Sequence, residues 1–147
     1  PDTRHHFFRA LHAHCGVKVS RQLGPDLGAR MAHAFAVHGG PMLLIGTDCP
    51  ALQTAHLATA ANVLRDGRDA VFIPADDGGY VLVGLRQPQP LLFENIDWGS
   101  EQVMAQTRER LDGLGLRWAE PLILWDVDRP SDLARLATFE DFTEWSS

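Results

Sequence analysis

The sequence predicts a three-layer α/β domain with a mixed sheet, and two observations support this prediction. Apolar runs bounded by turn residues alternate with amphipathic segments, as in a chain whose strands are separated by helices. In addition, an Asp-Gly turn at residues 76–79 joins two β-rich runs, which indicates a hairpin and hence one strand antiparallel to its neighbours. The length of 147 residues is sufficient for one domain with a buried core, so we expect a single domain over residues 1–147.

Two helices are expected before the first long apolar run. Residues 5–15 carry apolar side chains at helical spacing, and Gly16 follows as a stop signal. Residues 17–22 alternate between apolar and polar, which predicts a brief strand. Asp26 can then cap a second helix over residues 27–38.

The rest of the chain contains further strands and helices in alternation. Continuous or alternating apolar runs predict the strands, and amphipathic stretches bounded by glycine, serine or proline predict the helices. The predicted elements are strands at residues 42–45, 69–74, 80–85 and 118–125, and helices at residues 54–66, 101–114 and 130–137.

The composition is that of a globular protein and excludes several other classes. A hydrophobic fraction of 45% and a charged fraction of 22% are globular averages, which argues against a disordered or fibrous chain. The formal net charge of −6 argues against a nucleic-acid binder, which would need a basic face. No apolar run approaches about 18 residues and no leader pattern is present, so we expect no membrane span. Cys15 and Cys49 lack CxxC spacing and fit a reducing compartment, so we expect a cytoplasmic protein.

The chain is organised around the segment MLLIGTDCP, residues 42–50. Its apolar residues predict a buried strand, and its polar residues predict a loop at the carboxyl end of that strand, where open α/β sheets bind ligands. Asp48 is therefore a candidate ligand of a divalent cation that carries a phosphorylated substrate. Alternatively, Asp48 caps the helix that begins near Thr54, and this segment alone fits both interpretations.

Three acidic loops each follow a predicted strand. If these strands are mostly parallel, the loops gather along one rim of the sheet. Carboxylates without cysteine or histidine ligands suit Mg²⁺ or Mn²⁺. The alternative is that each Asp caps a helix, as Asp128 would do two residues before Pro130. Taken together, the three loops favour the metal site. They are Thr47-Asp48, Asp76-Asp77 and Asp126-Val127-Asp128.

Residues beside these loops are candidates for substrate contact. Gly78 and Gly79 would let a sugar or phosphate approach the backbone closely, although hairpin geometry also favours glycine there. Tyr80 either stacks on or hydrogen-bonds a substrate, or it packs outward from its strand. Trp98 either forms a wall of the pocket or anchors the core.

Four segments together carry a family resemblance: GTDCP at residues 46–50, PADDGGYVLVGL at 74–85, IDWGSEQV at 96–103 and DVDRPSDL at 126–133. In this order and spacing they resemble the bacterial glycosyltransferase-like family with the GT-A nucleotide-diphospho-sugar transferase fold, formerly a domain of unknown function. The resemblance covers nearly the whole chain. It implies a Rossmann-like domain that binds a nucleotide sugar or a nucleotide through a divalent metal, Mg²⁺ or Mn²⁺.

The resemblance also implies roles for individual residues. In the wider fold, which includes sugar nucleotidyltransferases, the Asp after the central strand and the first Asp of a D-x-P-x-D-L element approach the metal, and these match Asp48 and Asp128. Asp77 is the candidate catalytic residue, for binding donor or acceptor hydroxyls and for general base work. The candidate substrate-binding residues are Thr47, Asp76, Gly78, Gly79, Tyr80 and Trp98.

Two departures from the family pattern change the expectation. Asp76 stands where the family usually has Glu, a shortening by one methylene that should be tolerated. In addition, nothing before Pro1 matches the family's first strand and its nucleotide-contacting loop. We therefore expect that the natural sequence begins further upstream. The strand at residues 42–45 would then have an open edge, which an N-terminal segment or a homodimer would cover.

Two other functions fit the same residues. A nucleotidyltransferase would use the metal scaffold to join a nucleoside triphosphate to a small phosphorylated substrate. A non-catalytic domain would keep the fold for binding or assembly, and metal titration would distinguish it. The motifs G-x-S-x-G, G-x-x-x-x-G-K-[ST] and G-x-G-x-x-G do not occur, so no motif supports a hydrolase, an ATPase or a dinucleotide-binding protein.

Overall fold

A computed structural model describes residues 5–127 and 132–137. Helices and strands alternate along most of this part of the chain, and a short 3₁₀ helix, Pro90–Phe93, precedes the fourth α-helix. The elements are α1 (His6–Cys15), α2 (Leu27–His38), β1 (Met42–Ile45), α3 (Thr54–Arg65), β2 (Ala70–Pro74), β3 (Tyr80–Leu85), α4 (Val103–Gly113), β4 (Trp118–Ala119) and α5 (Asp132–Ala137).

The four strands form one mixed sheet in the order β1-β3-β2-β4. Strand β3 is antiparallel to both of its neighbours, with Val83 opposite Leu44 of β1 and Phe72 of β2. Strand β2 is parallel to β4. The predicted hairpin and mixed sheet are therefore confirmed.

Helices cover both faces of this sheet. Because successive side chains of a strand point to opposite faces, β2 contributes to two cores. Phe72 packs in a cluster with Phe35 of α2 and Leu111 of α4. Val71, one residue earlier, packs in a second cluster with Leu64 of α3. The predicted three-layer α/β architecture is confirmed.

Strand β1 lies at the edge of the sheet. It pairs with β3, and within residues 5–127 and 132–137 no strand lies on its other side. Ile45 at its end is 45% exposed, which is unusual for a large apolar side chain in a strand. The open edge expected from the sequence is thus present in the described part of the chain. What covers this edge stays a prediction.

Two predicted strands differ from the structure. Residues 17–22 are exposed and form no strand, because alternation alone does not supply a pairing partner. The strand predicted at residues 118–125 is interrupted: β4 contains two residues, and a single bridge joins Leu124 to Ala75 further on. Pro121 stands in the gap and has no N–H to donate to a ladder.

None of the helices in the described part of the chain is long and apolar enough to cross a membrane.

Helix α2 begins as predicted, with the Asp26 carboxylate accepting a hydrogen bond from the Ala29 N–H at 2.7 Å. Its second residue, Gly28, contacts the loop that follows the 3₁₀ helix. A Cβ at this position would lie 2.6 Å from the Phe93 carbonyl oxygen and 2.7 Å from Nε1 of Trp98. The missing side chain is therefore what allows the indole of Trp98 to pack against α2.

We expect Gly28→Ala to destabilise the protein by about 1–3 kcal/mol, because the methyl group would meet a backbone oxygen and a rigid ring. The measurement is the free energy of unfolding in urea. Gly113→Ala is the matched control: Gly113 lies in α4 with nothing within 4 Å of the added Cβ. That change should be neutral or stabilising by at most about 1 kcal/mol. Equal stability of the two variants would contradict the predicted contact.

Candidate functional site

Three acidic loops lie side by side at one rim of the sheet. Strands β1 and β2 run in the same direction because both are antiparallel to β3. The Val127 N–H donates a hydrogen bond to the Asp48 carbonyl at 2.9 Å, which joins the first loop to the last. The Asp76 N–H donates to the Leu124 carbonyl at 3.0 Å, which joins the middle loop to the segment before Val127.

A cavity of about 480 Å³ opens at this rim, between helix α2, the carboxyl end of β1 and the start of β3. Its size lies within the range of small-molecule sites. Apolar side chains form much of its wall, and polar side chains reach it both from the rim and from α2 with the segment before that helix. Four of the lining residues come from the acidic loops or the candidate set: Thr47, Asp48, Tyr80 and Asp126.

Asp48 is positioned by its own loop. Gly46 makes room for its carboxylate, since a Cβ at residue 46 would lie 2.6 Å from Asp48 Oδ1. The alternative that Asp48 caps the next helix is wrong. Helix α3 has Gln53 as its N-cap, and the Gln53 N–H donates to Nδ1 of His56 at 3.1 Å. The Asp48 side chain is exposed at the mouth of the cavity.

Asp126 shares the cavity with Asp48, although the family motif favours Asp128 as the second ligand. Asp128 lies outside the described residues, so its role stays a prediction. The sequence signal for Asp126 was its place directly after Trp125, at the end of the segment that bridges to β2. A residue at a strand end faces the rim whether or not it belongs to a motif.

Cys49, next to Asp48 in the same loop, carries a half-buried thiol. Its Sγ donates a hydrogen bond to the Trp125 carbonyl at 3.1 Å. Burial raises the pKa of this thiol, and the negative charges of Asp126 and Asp48 add to the increase against opposing backbone hydrogen bonds. The thiol therefore stays protonated at neutral pH and is a poor metal ligand.

The donor chemistry of the rim fits a hard cation. No group of three or more His, Cys, Asp or Glu side chains able to hold a metal occurs within the described ranges. The cavity instead contains two carboxylates, those of Asp48 and Asp126. Mg²⁺ is commonly held by one or two carboxylates, with water and substrate phosphate completing its shell. The residues present are compatible with such a site.

The loop before β3 is anchored on both sides. Asp76 Oδ2 forms an ion pair with Arg135 of α5 at 2.8 Å, and the Arg135 guanidinium also lies over the ring of Trp125 at 4.5 Å. Asp77 Oδ1 accepts a hydrogen bond from the Gly79 N–H at 2.9 Å. Neither carboxylate lines the 480 Å³ cavity.

Gly78 is held against the amino end of α4. Its φ of +96° favours glycine, and a Cβ there would lie 2.1 Å from the Glu101 carbonyl oxygen. The Gly78 carbonyl accepts a hydrogen bond from the Met104 N–H at 2.8 Å, which satisfies one of the free donors of the first helical turn. The space that glycine leaves at residue 78 is thus filled by the helix end.

Tyr80 packs inward against the core. Its ring makes edge contacts with Phe72 at 5.0 Å and Trp98 at 6.4 Å, and its hydroxyl donates to Met31 Sδ at 3.9 Å. Burial raises the pKa of this hydroxyl far above its ordinary value. Tyr80 reaches the cavity as part of its wall and stays protonated, so it cannot serve as a base.

Trp98 lies outside the cavity that contains Asp48. It is half-buried beside Gly28 and lines a separate, more open depression together with Asp26 and Asn95. The structure therefore brings Thr47, Asp48, Tyr80 and Asp126 together. It does not bring Asp76, Asp77, Gly78, Gly79 or Trp98 into the same cavity.

Residues 1–100 match the model of a protein family described as "Uncharacterized protein conserved in bacteria (DUF2064)". This match covers more than half of the chain. The chain belongs to the DUF2064 family. No curated protein matches it.

A solved structure similar to this DUF2064 chain is that of a "putative nucleotide-diphospho-sugar transferase" from Desulfovibrio desulfuricans G20. The two sequences are 33% identical, the TM-score is 0.70, and the alignment covers 82% of this chain. It covers 56% of the other protein, so the chain spans about half of its length. The similarity agrees with the Rossmann-like α/β fold that the sequence motifs imply.

In this DUF2064 chain we expect Gly78→Ala to reduce stability more than Gly99→Ala does. Both glycines have positive φ, +96° and +84°, so both variants acquire backbone strain of about 1 kcal/mol. Only residue 78 also has a backbone oxygen in the way, because nothing lies within 4 Å of a Cβ at Gly99. Thermal unfolding of the two variants measures the difference. A Gly78→Ala protein as stable as Gly99→Ala would show that the loop does not depend on contact with α4.

Proposed function

We propose that the protein is a metal-dependent glycosyltransferase that moves a sugar from a nucleotide-diphospho-sugar to an acceptor. The observation that carries this proposal is the shared cavity, in which Asp48 from the loop after β1 and Asp126 from the loop after Trp125 face one space of about 480 Å³. A related solved structure with a nucleotide-diphospho-sugar transferase name supports the same reaction class.

Asp48 and Asp126 would hold Mg²⁺ or Mn²⁺, with Asp128 as a further candidate ligand. Bound there, the cation would supply Lewis-acid stabilisation of a leaving diphosphate, an effect of several kcal/mol. At the rim, the cavity offers the carboxylate oxygens of Asp48 and Asp126, with no cysteine among its described lining residues, and this donor set suits a hard cation.

The reaction forms a bond between an acceptor oxygen and the anomeric carbon of the sugar, and it breaks the bond from that carbon to the diphosphate oxygen. The acceptor proton must go to a base. Asp77 is the proposed base and hydroxyl-binding residue: Oδ1 is engaged by the Gly79 N–H, and the second carboxylate oxygen can accept the proton. Asp77 would have to approach the substrate from the loop beside the cavity.

The other candidate residues are assigned supporting roles. Thr47 lines the cavity, and its hydroxyl can donate a hydrogen bond to a phosphate or sugar oxygen. Tyr80 supplies an aromatic wall, on which a sugar or base can pack. Asp76 is paired with Arg135, so we assign it to holding the loop in place together with Gly78 and Gly79. Trp98 packs against α2 and would support the cavity from behind.

The proposal concerns the whole protein, since the chain spans 56% of the related transferase structure. A nucleotidyltransferase would use the same carboxylates, and the substrate panel distinguishes the two. A glycosyltransferase should be stabilised by a nucleotide sugar in the presence of Mn²⁺. A nucleotidyltransferase should be stabilised by a nucleoside triphosphate instead.

We expect Asp48→Asn to abolish Mn²⁺-dependent binding of the nucleotide sugar that stabilises the wild type in a thermal-shift panel. The amide keeps the shape of the side chain but removes the negative charge that the cation requires. The melting temperature without ligand should change little, because Asp48 is exposed and makes no cap for α3.

Asp66→Asn is the control, because Asp66 is an exposed carboxylate at the end of α3, outside the cavity. It should bind as the wild type does. Loss of folding in Asp48→Asn, or unchanged Mn²⁺-dependent binding, would each contradict the proposed role of Asp48.

A further inference from the structure

The 480 Å³ cavity has charge of opposite sign at its two ends. Asp48 and Asp126 stand at the rim of the sheet, and Arg21 and Arg30 belong to the wall formed by α2 and the segment before it. The acidic end accounts for a cation. It leaves the basic end without a function, although two positive charges that line one cavity would attract an anion.

Arg30 is held in place by the turn that precedes its helix. Its Nε donates a hydrogen bond to the Gly24 carbonyl at 3.2 Å. Gly24 has a φ of +140°, and a Cβ there would lie 2.8 Å from the backbone nitrogen of Arg30. Asp26 closes the same turn by accepting from the Ala29 N–H at 2.7 Å. The turn therefore places the Gly24 carbonyl oxygen next to Nε of Arg30 and leaves the two terminal nitrogens of the guanidinium unoccupied by this contact.

Arg30 differs from the arginines that have structural partners. Arg108 pairs with Glu120, Arg117 with Asp69 and Arg135 with Asp76. In the part of the chain that the structure describes, no carboxylate lies within 4 Å of the Arg30 or Arg21 guanidinium. Arg30, an exposed residue of the cavity lining, thus has no described counter-ion, and its terminal nitrogens retain donors for a ligand.

We propose that Arg30, assisted by Arg21, binds the diphosphate group of the substrate at the α2 wall of the cavity. This inference rests on the proposed function and adds the residue that recognises the anion. Because Nε is engaged by Gly24, the two terminal nitrogens offer a pair of parallel donors. That arrangement matches two oxygens of a phosphate group, a geometry that lysine cannot reproduce.

A consequence is that anion binding at Arg30 does not require the metal. The diphosphate would be neutralised from two directions, by the cation at Asp48 and Asp126 and by the guanidinium of Arg30. Removing the cation should weaken the binding of a diphosphate without eliminating it, and removing Arg30 should weaken it with or without the cation.

The test is calorimetric titration of the full-length protein with inorganic pyrophosphate in the presence of EDTA. We expect wild-type protein to bind pyrophosphate and Arg30→Met to bind it at least about tenfold more weakly, because the variant loses charge-assisted hydrogen bonds to the anion. Arg30→Lys should retain only part of the affinity, because it keeps the charge and loses the paired donors. Arg65→Met is the matched control: Arg65 is an exposed helical arginine on α3, bonded to Asn62 and outside the cavity.

The outcomes separate this inference from the proposed function. Weaker pyrophosphate binding in Arg30→Met, with Arg65→Met unchanged, supports the role of Arg30 even if no nucleotide sugar binds with Mn²⁺. Unchanged pyrophosphate binding in Arg30→Met overturns it, even if Asp48→Asn abolishes Mn²⁺-dependent binding. Absence of pyrophosphate binding in the wild type also overturns it. If Arg30→Met does not fold, the comparison of Arg30→Lys with wild type decides, and equal affinity overturns the inference.

Discussion

The position of the candidate site depends on one strand, β3, which is antiparallel to both β1 and β2. Since both neighbours oppose the same strand, they are parallel to each other without being bonded to each other, and their carboxyl ends reach the same rim. Gly84 supports this arrangement, because a Cβ there would lie 2.5 Å from Leu43 Cδ2 and 2.6 Å from Val71 Cγ1. The side chains of β1 and β2 thus close over β3. A slip of β3 by one residue would turn its side chains to the opposite faces and move Gly84 away from Leu43 and Val71.

Much of the fold could be predicted from the sequence because its main elements have local signals. Strands β1 and β3 and helix α2 have the predicted bounds: Gly46 follows β1, Gly79 precedes β3, and α2 begins after the capping Asp26. The prediction of a strand at residues 17–22 was wrong. A strand is stabilised by a neighbouring strand, and an alternating sequence does not show whether such a neighbour exists. The break after β4 follows from Pro121, whose effect depends on which neighbour the strand would have paired with.

The sequence predicted the acidic character of the candidate site better than it predicted which residues line the cavity. Strand ends followed by Asp predicted the acidic rim, and the Val127–Asp48 hydrogen bond places two of its loops together. The pairing of Asp76 with Arg135 could not be read from the sequence, because it joins residues far apart in the chain. The sequence also gave no indication that Arg30 lines the cavity, since an arginine on an amphipathic helix is ordinarily solvated. Its place in the cavity follows from the packing of α2 on the sheet.

The pKa of the Cys49 thiol depends on both its partial burial and the charges of the acidic loops. The Cys49 thiol would be a strong ligand for zinc if it ionised, yet partial burial and the charges of Asp126 and Asp48 all raise its pKa. Its hydrogen bond to the Trp125 carbonyl uses the proton that ionisation would remove. Partial burial is the larger cause, and the carboxylates that would attract a cation also favour the protonated form of the neighbouring Cys49 thiol. The carboxylates of Asp48 and Asp126 are the oxygen donors of this rim, and a cation that also takes phosphate oxygens fits it better than one that needs sulfur.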